Sequence, residues 1–357
     1  MSEIKVDLDS LGYLSGSFRG LSDTVSSAKT YQSSYVNLNL AGEDSALASG
    51  VRNQAKKVED ALAVWISDTE KATSAAADCV DGCIHDYQKN EQETVTTFEG
   101  HYTASDAAGA RTGASSTATG KLTTPTNRTD FEKVFNAMGM VGNVVSPSYW
   151  LGTLADKVVD LIVGQGEHDP FAAVGSKVAG DWKKVSRASD ALSKLSGYFN
   201  ELSTETKDFW NKVDPDWDGG ASDDANTSLG KMGTSFSDVS KRLTELSKAY
   251  NAVAVGVYNT ADTITGLLRT ISDEGIAALA SAAIGTATAE TVIGAVAGYT
   301  IAGLEVYNLI KAVKELFKVL GNSWNIVTTF TGVTSMTLGL SHGSGGSLTI
   351  HNPSFSE

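Results

Sequence analysis

Gly339, Leu340, Ser341, His342 and Gly343 have the Gly-x-Ser-x-Gly spacing of a nucleophile elbow, which would make Ser341 an acyl-transfer nucleophile. An elbow needs a strand before the serine and a helix after it. Here a glycine-rich stretch follows, so no esterase is expected. The five histidines, His85, His101, His168, His342 and His351, are scattered, and neither a HExxH zinc motif nor a GxxxxGK[ST] phosphate loop occurs. Cys79 and Cys83 share one face of an expected helix beside apolar neighbours, with His85 on another face, which points to buried thiols rather than a metal or redox pair. The acidic pairs Glu43/Asp44 and Asp223/Asp224 stand where helices begin, and there carboxylates complement the helix dipole. Neither catalysis nor a bound metal or cofactor is expected.

Charge narrows the partners. With 28 Lys plus Arg against 42 Asp plus Glu, the formal charge of -14 repels phosphate backbones, so no nucleic acid is expected as a partner. A chain of 357 residues that is 41% hydrophobic has ample apolar surface to fold. "MSEIKVDLDSLGYL" lacks a basic region followed by an unbroken apolar run, so export would have to use a Sec-independent route.

The elements follow from apolar spacing. Leu11, Leu14, Phe18, Leu21, Val25, Ala28 and Tyr35 step by threes and fours, with Gln32 in the one polar slot. After a break at Gly42 with Asp44 as helix cap, Leu47, Val51, Val58, Leu62, Trp65, Ala72, Cys79 and Cys83 resume the period. Residues 1–98 therefore read as a helical hairpin. Residues 99–128 are rich in Gly, Ala, Ser and Thr without large apolar side chains, and are expected to form a flexible linker. Residues 129–170 form a connector.

A second hairpin is expected over 171–272. Its first seam runs through Val174, Val178, Trp182, Val185, Leu192, Leu195, Phe199, Leu202 and Phe209, and stops at "DPDWDGGASDDA". The second runs from Leu229 through Met232, Phe236, Val239, Leu243, Leu246, Tyr250, Val253 and Val257 to Ile271, and a helix from about Ala221 to Ile271 would be roughly 75 Å long. Residues 273–321 read as apolar C-terminal helices and 322–357 as a β-prone or disordered tail. Within 275–304 each half about Glu290 falls short of the ~20 residues that span a bilayer, so packing against protein is expected. The fold class is all-α, two long hairpins forming an elongated four-helix bundle.

The turn Trp217-Asp218-Gly219 between two long helices resembles that of the Trp-Xaa-Gly family of type VII (ESX) secretion substrates of actinobacteria and their relatives. That family also carries Tyr-Xaa-Xaa-Xaa-Asp/Glu near the end of a second helix, a pattern matched by Tyr258 with Asp262 and again by Tyr87 with Glu91. The first hairpin departs from it, since Leu40-Ala41-Gly42 stands where Trp-Xaa-Gly would. The arrangement is similar to a PE/PPE-like pairing, with a Tyr motif on one hairpin and the Trp motif on the other. The resemblance implies a secreted or envelope-associated, non-enzymatic protein. Its exposed Trp and Tyr surface would be read by a type VII secretion ATPase, and it would act through self-association or a small helical partner of the same family. A helical pore-former inserting 275–304 into a membrane is the alternative, and membrane contact stays open.

Overall fold

The computed structural model describes residues 6–38, 46–98, 113–127, 182–283, 300–339 and 348–355. They form α1 (Leu8–Tyr35), α2 (Ala46–Phe98), α3 (Trp182–Val213), α4 (Gly220–Ala283) and α5 (Thr300–Thr337), with no β-strand among the described residues. The all-α expectation therefore holds for these residues. The connector 129–170, Leu40-Ala41-Gly42, Ser341 and most of 275–304 lie outside them.

The expected seams are the core. Leu11, Leu14, Phe18, Leu21, Val25 and Ala28 of α1 are buried, as are Leu229, Met232, Phe236, Val239, Leu243, Leu246, Tyr250, Val253 and Val257 of α4. Gln32 is buried in its seam slot because its amide donates to the Glu59 carbonyl across the hairpin at 3.1 Å. Tyr35, next on the seam, lies at the helix end and is exposed. Of the two cysteines, Cys83 is buried, Cys79 half-buried, and both are free thiols.

Antiparallel α3 and α4 approach closely through small polar residues. Ser189 donates to the Ser247 carbonyl and Ser247 to that of Ser189, both at 2.8 Å, and one heptad on Ser196 donates to the Ser240 carbonyl at 2.8 Å. A further heptad on, Ser203 donates to the Gly233 carbonyl at 2.7 Å. The small side chains let the backbones approach, and each buried hydroxyl finds an acceptor on the facing helix. Ser196→Leu overpacks this seam, and we expect it to lower unfolding free energy by about 1–3 kcal/mol in urea titration, with Ser196→Ala losing only about 1.

Three findings differ from the sequence expectations. First, the C-terminal helix, expected alongside a four-helix bundle, is a member of the ring itself: among the described residues α1 packs on α2 and α3, α3 on α4, and α5 on both α4 and α2, closing the ring where a four-helix bundle would join α2 to α4 more fully. The seat of α5 is tight, since a Cβ at Gly50 would meet Val327 at 3.0 Å and one at Gly256 would meet Ile326 at 2.9 Å.

Second, the helix runs through Thr337 where a β-prone tail was expected. Ser323, Val327, Phe330, Thr334 and Leu338 are buried at helical spacing. Thr328, Thr331, Thr334 and Thr337 each donate to the carbonyl four residues back, so tertiary burial overrides their β propensity.

Third, Gly113–Asn127 is an ordered strap rather than a free linker. The buried Glu205 carboxylate of α3 accepts from the Ser116 hydroxyl at 2.7 Å, the Thr117 amide at 2.6 Å and the Thr117 hydroxyl at 3.0 Å. Asp190 accepts from the Thr126 amide at 2.8 Å, and the Tyr31 hydroxyl donates to the Thr123 carbonyl at 2.8 Å. At the strap's start a Cβ on Gly113 would stand 2.1 Å from the Gly16 carbonyl carbon, so the chain crosses α1 in direct backbone contact. Charge-assisted hydrogen bonds and close approach order this segment without large apolar side chains.

Candidate functional site

The α3–α4 turn is built by its own residues. Pro215 sits in a single 3-10 turn, Asp214–Asp216, where its fixed φ is already suitable. Trp217 then extends (φ -139°, ψ 108°), and Gly219 adopts φ 125°, which L side chains rarely reach. The Gly219 carbonyl accepts from the Asp223 amide at 3.1 Å to start α4, and the Ser222 hydroxyl donates to the Trp217 carbonyl at 2.6 Å.

Four parts of the chain converge on Trp217. Val6, just before α1, forms an antiparallel bridge with it, and the adjoining Asp7 amide donates to the Asp216 carbonyl at 2.9 Å. Trp210 of α3 stacks at a tilt, 5.9 Å between ring centroids. Phe355, near the C-terminus, meets the indole edge-on at 6.5 Å. From α2 comes Tyr87, whose hydroxyl accepts the indole N–H at 3.2 Å.

The Trp motif of one hairpin and the Tyr of the other are thus hydrogen-bonded neighbours at one end of the bundle. No family model, curated protein or solved structure matches this chain. What the chain does rests on its own geometry.

That geometry corrects one expectation. Trp217 is not an exposed reading head: it is 1% exposed and among the largest fully buried side chains. What faces solvent at the turn is acidic, with Asp214, Asp218, Asp223 and Asp224 all exposed. Tyr87 is half-buried. Glu91 lies one turn further along α2, and Tyr258 and Asp262 lie in α4, but the side chains of these three are outside the described residues. Tyr258 follows Gly219 by most of the length of α4's described core, so the helix carries it away from the turn, whereas Tyr87 is brought to it.

Residues of the site that sequence reasoning did not single out are Val6, Trp210 and Phe355. Only Phe355 left a trace, as the last of a spaced apolar set with Leu348, Ile350 and Pro353. The nearby His351 ring shares a 3.1 Å hydrogen bond with the Ser228 hydroxyl, and burial, with Lys231 adding to it, holds its pKa below the usual histidine value. Among the described residues no group of three or more His, Cys, Asp or Glu is placed to hold a metal, and no helix is long and apolar enough to cross a membrane.

Proposed function

We propose that this protein is a non-enzymatic substrate of a type VII-like secretion system. It would be exported by a Sec-independent route and act by partner binding or self-assembly at the cell envelope or outside the cell. One observation carries the reading: the Trp217 indole N–H rests on the Tyr87 hydroxyl, so the two motifs, on separate hairpins, form one unit. In this reading a single chain supplies both hairpins of the paired bundle. The secretion ATPase would meet the acidic rim and backbone of the turn, with Trp217 acting from beneath to hold that shape. Tyr87 and Glu91 are then the functional Tyr motif, and the match of Tyr258 with Asp262 is a coincidence of spacing.

The test compares export of Tyr87→Ala and Glu91→Ala with that of Tyr258→Ala and Asp262→Ala, at matched cellular abundance, in cells whose secretion system is active. The first pair is expected to lose export by about tenfold or more, the scale on which ~1.4 kcal/mol of recognition energy acts, and the second pair to keep it. Normal export of all four variants would remove the proposal.

A further inference from the structure

Between α2 and α4 runs one groove with two successive fillings. Along its first part lies α5, seated against Gly50 and Gly256, with Gln54 of α2 donating to the Ser335 hydroxyl at 3.0 Å and Arg242 of α4 to the Thr337 carbonyl at 2.8 Å. Beyond it the groove is filled by residues 348–355 in extended form. Trp65 of α2 donates its indole N–H to the Leu348 carbonyl at 3.1 Å. From α4, Ser235 accepts the His351 amide and Ser228 the Ser354 amide, both at 3.2 Å. Further on, the Cys79 thiol faces the Pro353 carbonyl at 3.7 Å. Ile350, Pro353 and Phe355 point inward while Thr349, Asn352 and Ser354 face solvent, and the run ends with Phe355 against Trp217.

Most of these hydrogen bonds engage the segment's backbone, which any extended peptide offers, and side-chain selectivity falls on the three buried positions. Residues 348–355 include no Asp, Glu, Lys or Arg, and none of them lies in a strand. The segment is held as a ligand is held.

We infer that this stretch of the α2/α4 groove is a docking site for an extended peptide segment of a partner, apolar at the positions of Ile350 and Pro353 and aromatic at that of Phe355. Residues 348–355 occupy it as an internal, displaceable ligand. A partner seated there touches Trp217 directly. That this partner is part of the export machinery rests on the secretion reading; the groove and its peptide chemistry do not.

The probe is a fluorescein-labelled peptide with the sequence of residues 348–355, titrated by anisotropy into the full chain and into the full chain carrying Ile350→Asp and Phe355→Asp. In the unsubstituted chain the tethered segment competes at high effective concentration, so the substituted chain should bind the peptide at least about tenfold more tightly. Replacing the peptide's Phe by Ala, or adding Ser228→Arg to fill the groove, should abolish the gain. Should circular dichroism show the double variant unfolded, Phe355→Ala alone supplies the same comparison. Equal binding by substituted and unsubstituted chains, or binding indifferent to Ser228→Arg, would overturn the inference. No secretion step enters the measurement, so it fails or succeeds independently of the export assays.

Discussion

Trp217→Ala is expected to lower the unfolding free energy by about 3–5 kcal/mol, the range for truncating a buried large aromatic, and to lower export with it. The side chain is 1% exposed and touches Trp210, Tyr87 and Phe355, so its removal leaves a void bordered by three elements and strands the Tyr87 hydroxyl without its donor. Loss of export by this variant alone therefore cannot separate recognition from stability. Trp217→Phe separates them better, because it keeps an aromatic ring and deletes the indole N–H. Paired with Tyr87→Phe in a double-mutant cycle, it should show a coupling of about 1 kcal/mol in denaturant unfolding. If export is lost in Trp217→Phe at near-native stability, the geometry of the turn is being read. An unchanged unfolding midpoint for Trp217→Ala would contradict the burial itself.

The second large effect is expected at Glu205. Glu205→Ala removes the acceptor of three hydrogen bonds from Ser116 and Thr117 and should detach the strap 113–127 from α3, at a cost of about 2–3 kcal/mol given that the acceptor is a buried carboxylate. Hydrogen exchange should then rise at the Thr117 amide and its neighbours while α4 stays protected. Glu205→Gln keeps one oxygen acceptor and should lose less. A strap that stays protected in Glu205→Ala would show that the Gly113 crossing of α1 and the Asp190 anchor suffice.

Seen from the residues, the legible part of this fold is the part whose cause is local. A step of three or four is a property of neighbouring residues, so the seams of α1, α3 and α4 announced both the helices and their buried faces. Gln32 shows the limit at small scale: its slot was legible as an exception, but the acceptor that makes burial tolerable, the Glu59 carbonyl, belongs to the other helix of the hairpin. The Thr-rich end of α5 shows it at larger scale. Ser323, Val327, Phe330, Thr334 and Leu338 do repeat at helical spacing, yet β-branched composition pointed to strand until α2 and α4 supplied a surface to bury that face.

The candidate site divides in the same way. Pro215, Trp217 and Gly219 marked the turn, because a fixed φ, a bulky aromatic and a left-handed φ are written in residue types. Tyr87 could be named from a motif, but two Tyr motifs were equally readable, and only the approach of α2 to the α3–α4 turn put one of them on the indole. The strap, the part of α5 beyond residue 321 and the docked segment 348–355 were not legible. What orders them is a set of partners distant along the chain, Glu205, Gly50 with Gly256, and Trp217. A segment's own composition records its capacity to be bound, whereas the acceptor, the groove or the ring that binds it exists only once the helices have packed.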